Sequence, residues 1–127
     1  MQGKATYEFV IIRYVPKVER EEFINVGAIL FSKHKKYLGI RYKIDKERLL
    51  AFSPDVDIEL LQEYLEAWTL ICAGDPKGGV IGGFELADRF RWLAATKSTT
   101  LQCSKTHPGL CHDPEKELDD LFEKYVK

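Results

Sequence analysis

The chain predicts an α+β domain: a mostly antiparallel sheet of about four strands with helices packed on it, in the order β-β-β-α-α-α-β-α. Three observations carry that expectation. The first third of the chain is built from β-branched and aromatic runs of period two or of doubly apolar character. The short link between the second and third of those runs makes them a hairpin, so those strands run antiparallel. Capped segments with apolar residues at helical spacing then follow. At 127 residues the chain suits a single domain, 1–127.

Tyr7 to Val15 is the first strand, closed by Pro16. Alternation places Tyr7, Phe9, Ile11 and Arg13 on one face and Val10, Ile12 and Tyr14 on the other. Both faces are apolar enough to be covered, which makes Arg13 the one charge expected to be buried. After a charged connection, Val26 to Phe31 forms the second strand, where Gly27 permits a close backbone approach or a bulge. A basic turn, Ser32 to Lys36, leads to a third strand over Tyr37 to Ile44 with Leu38, Ile40, Tyr42 and Ile44 inward. Asp45 caps a short helix, Lys46 to Phe52, stopped by Ser53-Pro54. Asp57 caps the longest helix, whose buried stripe is Ile58, Leu61, Leu65, Trp68 and Cys72 and which ends at Gly74. Asp75 to Gly83, with four glycines and a proline, reads as a mobile loop. Glu85 to Ala95 is a third helix and Thr99 to Cys103 a short fourth strand. Asp113-Pro114 opens the last helix, with Leu118, Leu121, Phe122, Tyr125 and Val126 inward.

Composition narrows the function classes. Nineteen basic residues face 20 acidic ones, for a net charge of −1, so the chain has no global attraction for nucleic acid or an anionic membrane. No apolar run approaches membrane-spanning length and no secretory signal is visible. Three cysteines argue against a disulfide framework, and the chain reads as cytoplasmic. Gly74 to Gly79 lacks the order of a P-loop. Lys33, His34, Lys35 and Lys36 read as a solvated hairpin tip rather than a nucleic-acid patch.

Three segments occur together: Tyr7-Glu8-Phe9-Val10-Ile11-Ile12-Arg13, Glu22-Phe23-Ile24-Asn25-Val26-Gly27-Ala28-Ile29-Leu30-Phe31, and Arg89-Phe90-Arg91-Trp92 followed by Ser98-Thr99, Gln102-x-Ser104-x-x-His107-x-Gly109-Leu110 and Asp113-Pro114. In combination they resemble the bacterial family catalogued as domain of unknown function 3037 (DUF3037), over nearly the whole chain. The resemblance implies no reaction, substrate or cofactor. It implies a partner protein, a HipA-like kinase among the candidates, through association with that kinase type. The cysteines and Pro108 stand outside the shared pattern.

Ser98 to Asp113 gathers hydroxyls, an amide, two thiols and two histidines just after an aromatic, basic cluster. As a ligand pocket it would draw on Arg13, Arg89, Arg91, Trp92, Ser98, Thr99, Gln102, Ser104 and His107. Arginines supply bidentate donors to an anion and the neutral side chains supply orienting hydrogen bonds. His107 is the candidate general acid or base. Cys103, His107, Cys111 and His112 offer zinc-compatible ligands, but their spacing departs from knuckle patterns and no metal or cofactor is expected. Two functions follow: a non-catalytic binding or regulatory module acting with a partner protein, or a small enzyme or ligand-binding domain for a phosphorylated or nucleic-acid substrate.

Overall fold

The computed structural model describes residues 3–17, 20–95 and 100–126. It contains the expected α+β architecture. Strands β1 (Ala5–Tyr14), β2 (Ile24–Ser32) and β3 (Tyr37–Tyr42) form an antiparallel meander. Helices α1 (Lys46–Phe52) and α2 (Ile58–Ala73) follow, then a 3₁₀ turn at Pro76–Gly78. The short α3 (Gly79–Gly82) leads to α4 (Leu86–Ala94), and strands β4 (Leu101–Cys103) and β5 (His107–Cys111) precede the C-terminal helix α5 (Pro114–Tyr125).

The sheet order is β3-β2-β1, with β4 and β5 both antiparallel on the remaining edge of β1. A separate β5 differs from the four-strand expectation, in which His107-Pro108-Gly109 reads as a turn. The backbone of β1 decides otherwise: its first half, Ala5 to Phe9, needs a partner, and β5 supplies one at the sheet edge, where proline is tolerated. Asp75 to Gly83 likewise carries more structure than a loop. The Asp75 carboxylate accepts from Lys77 N at 2.8 Å and Pro76 sits in the first turn, so a 3₁₀ turn and α3 form there.

The strand alternation sorts the core into two layers. Val10, Ile12 and Tyr14 face α2 and α4, packing with Leu65, Trp68, Phe90 and Leu93. Tyr7, Phe9 and Ile11 face α5, packing with Leu118 and Leu121. Helix α5 is pinned along its length. Its N-cap Asp113 accepts from Glu115 N and Lys116 N, and Tyr7 Oη donates to Glu117 at 2.8 Å. Arg41 on β3 reaches Asp119 at 2.6 Å and lies 4.6 Å over the Phe122 ring. At its C-terminus, Asn25 Nδ2 donates to the Tyr125 carbonyl at 3.0 Å and Arg48 Nη1 donates to that of Val126.

Two one-residue irregularities flank the end of β1. Val26 is an extra residue between the pairs Ile12–Gly27 and Arg13–Asn25. A Cβ on Gly27 would stand 2.7 Å from the Arg41 carbonyl oxygen, so the cross-strand approach there requires glycine. On the opposite edge the register slips by one between Ile12–Cys103 and Phe9–His107. Ser104 occupies the break. Its N–H donates to Ile11 O at 2.8 Å and its Oγ accepts from Ile11 N at 2.8 Å, so a side chain completes the ladder where the backbone is out of phase. Among the described residues no helix is long and apolar enough to cross a membrane.

Candidate functional site

Helix α5 covers Tyr7, Phe9 and Ile11 but stops before the last row of the sheet. That row consists of three polar residues opposite one another, Gln102 on β4, Arg13 on β1 and Asn25 on β2. Beyond the helix end lies an open cleft of about 430 Å³, lined by Phe9, Ile11, Arg13, Asn25, Ser104, His107, Pro108 and Tyr125. Among the described residues no acidic one lines it. The Arg13 guanidinium carbon rests 4.2 Å from the centre of the Phe23 ring. Among the described residues no carboxylate pairs with Arg13, and its buried Nε has no acceptor. Asn25 Oδ1 is also buried without a donor. Its amide orientation is fixed because Nδ2 must face the Tyr125 carbonyl.

The walls are aromatic. Phe9 lies between His107, 5.2 Å away at 32°, and Tyr125, 6.1 Å away at 26°. Lys124 Nζ stands 5.2 Å over the Tyr125 ring. Ser104 lines the cleft, but its hydroxyl accepts from Ile11 N and donates to Lys105 O, so it shapes the wall and has no free donor for a ligand.

The sequence-predicted residues therefore divide. Arg13, Ser104 and His107 meet at the cleft, and Gln102 is beside Arg13 by register. Arg89, Arg91 and Trp92 are on α4, against the other face of the sheet. Arg89 donates to the carbonyls of Ile71 and Cys72, both at 2.8 Å, and of Phe84 at 2.9 Å, where a guanidinium suits the electronegative end of α2. Arg91 is exposed and Trp92 is half-buried against the core. Ser98 and Thr99 fall outside the described residues.

The zinc-compatible residues are not brought together. Cys103 points into the α4 side of the core, donating its thiol to Leu93 O at 3.3 Å. Cys111 is buried against α5, four residues along β5 from His107, a separation of about 13 Å at strand rise. His112 lies past the strand, beside Gly3. Burial pushes the Cys72 and Cys103 thiols up to about 12 and raises Cys111 as well. Arg13 pulls Cys103 the other way, and burial wins. At neutral pH these groups are thiols rather than nucleophilic thiolates.

Sequence reasoning missed Asn25 as a site residue and assigned Phe9 and Tyr125 to the core alone. The available signal was Asn25 itself, a short amide at the mouth of an otherwise apolar strand, directly across from the one arginine flagged as buried. Phe9 is buried and lines the cleft at once, whereas Tyr125, expected inward, is exposed because α5 ends beside the cleft; periodicity could not separate these roles.

No curated protein and no solved structure matches the chain. A family model described as protein of unknown function (DUF3037) matches residues 9–126, so the chain belongs to the DUF3037 family.

Proposed function

We propose that this chain is a non-catalytic binding module whose cleft beyond α5 captures an anionic group. The Arg13 guanidinium, paired with no carboxylate and facing a cleft lined by no acid among the described residues, carries the reading. A charged group removed from water demands a counter-charge, and here the supports are an aromatic face and the C-terminal end of α5. Both are partial, so a bound anion is stabilised by what the empty cleft lacks. Catalysis fits less well. Each cysteine thiol is raised by burial, the Ser104 hydroxyl is engaged, and His107 packs at a tilt against Phe9.

Thermal shift measurements on the wild type and Arg13→Gln test this against a panel of small carboxylates, phosphates and sulfonates. At least one anion class should raise the melting temperature of the wild type and leave the variant unmoved. Equal responses across the panel would overturn the reading. The anion can equally be presented by a partner protein, including the HipA-like kinase type that the resemblance implies. Co-purification with the wild type and Arg13→Gln reads that form of the proposal: a partner lost with Arg13 supports it, and one retained removes the cleft from the interface.

A further inference from the structure

We infer that the anion is a carboxylate with an N–H beside it, of the kind found at a polypeptide C-terminus or in an N-acyl amino acid, on a body with an apolar or aromatic side chain. This rests on the anion-site reading above and goes further by assigning the chemical class. Charge decides between carboxylate and phosphate. Among the described cleft-lining residues Arg13 is the only lysine or arginine, and Lys124 stands over the Tyr125 ring without lining the cleft, so the lining itself offers one fixed positive charge. The helix end that faces it is a C-terminus, with Tyr125 O on Asn25, and that end disfavours a second negative charge. One guanidinium against one carboxylate balances, whereas a phosphate dianion stays under-compensated.

Geometry adds shape. Arg13 lies over the Phe23 ring and lines the cleft, so it offers an in-plane edge of its guanidinium, while its Nε–H is shielded and without an acceptor. A planar carboxylate accepts two parallel N–H groups from such an edge. Across the strand pair, one Asn25 amide hydrogen is held by the Tyr125 carbonyl, which fixes the flip and leaves the unpaired carbonyl oxygen as an acceptor. A phosphate oxygen would meet lone pairs there; a ligand N–H would meet an acceptor. Phe9, Ile11, Pro108 and Tyr125 give the ligand body an apolar wall.

The test is an NMR titration of the full chain with four probes: N-acetylphenylalanine, its C-terminal amide, a pentapeptide ending in phenylalanine, and phenyl phosphate. The acid should perturb the resonances of Phe9, Arg13, His107 and Tyr125, and the amide should bind at least about ten-fold more weakly. Arg13→Gln should abolish the difference; if that variant does not fold, the acid-versus-amide comparison in the wild type stands alone. Tighter binding of the pentapeptide than of the N-acetyl acid marks a chain end as the natural source, and equal binding marks a free acid; both support the inference. Phenyl phosphate binding more tightly than the acid, through Arg13, would overturn the carboxylate class and leave the anion site intact. Equal binding of acid and amide, or binding of no probe, would overturn the inference; the anion panel then decides separately whether the broader reading survives.

Discussion

Ser104→Ala isolates the contact that holds β4 and β5 as one broken edge. The substitution removes an oxygen and adds no bulk, so what it changes is hydrogen bonding. Ile11 N–H, buried and pointing at Ser104 Oγ at 2.8 Å, loses its acceptor in a place where water does not replace it. Leaving a buried donor unpaired costs about 1–3 kcal/mol. An unfolding entropy of about 2.1 cal/mol/K per residue over 127 residues converts that to a fall in Tm of about 4–11 °C. Thermal denaturation followed by circular dichroism reads the fall, and amide exchange reads its location, since the Ile11 amide should lose protection while Ile29, in the middle of β2, keeps its own. A Tm within about 1 °C of the wild type with the Ile11 amide still protected would refute the reasoning, because it would mean the backbone restores the ladder without the side chain.

Other consequences concern groups whose roles the fold has fixed. Arg89→Ala should destabilise the chain by about 1–3 kcal/mol in urea titrations, because the Ile71, Cys72 and Phe84 carbonyls lose a shared charged donor; an unchanged midpoint would contradict that capping role. Gly109→Ala places a methyl group in the Tyr7 ring, which lies across the glycine, and should cost about 1–3 kcal/mol while weakening the Tyr7–Glu117 contact; a stable variant with that hydrogen bond intact would oppose it. Iodoacetamide at pH 8 should leave Cys72 and Cys103 unlabelled until the chain is unfolded, with mass spectrometry as the readout, and rapid native labelling of Cys103 would contradict its burial. Stability should also fall in alkali. Burial raises the Cys72 and Cys103 thiols from 9.0 and the Tyr37 phenol from 10.0, each to about 12. The folded state therefore holds protons that the unfolded chain releases, so the stabilisation is whole below pH 9 and is lost as pH climbs towards 12. A urea midpoint constant from pH 8 to 11 would refute that sign.

What the sequence made legible is what one period or one cap decides locally. Asp45, Asp57 and Asp113 each accept backbone amides at the start of the helix they were expected to begin, and α1 spans the expected Lys46–Phe52. The two-faced reading of β1 also held, with Phe9 and Ile11 against α5 and Val10 and Ile12 against α2 and α4. Strand β5 was hidden because Pro108 and Gly109 are punctuation in local terms, and only the unpaired half of β1, a hundred residues away in sequence, makes them a strand. The same distance explains the division of the candidate site. Arg89 and His107 are close in sequence, but the chain crosses from one face of the sheet to the other between them.

The reach of Arg13 depends on a length that local pattern does not display. Helix α5 has 12 residues, about 18 Å, while the 10 residues of β1 extend over about 33 Å. One helix of that length cannot cover the strand from end to end. Either the uncovered row is apolar and exposed, at a cost in solubility, or it is polar and wet; Gln102, Arg13 and Asn25 take the second course. A merely solvated row would be expected to hydrate its donors and acceptors. Here Arg13 Nε and Asn25 Oδ1 are shielded and unpaired, and Phe23, Phe9 and Tyr125 crowd the same end of the sheet with apolar surface. Unpaired polar atoms beside the exposed Phe23 and Tyr125 rings are the arrangement of a site prepared for a ligand that brings both a charge and an apolar body.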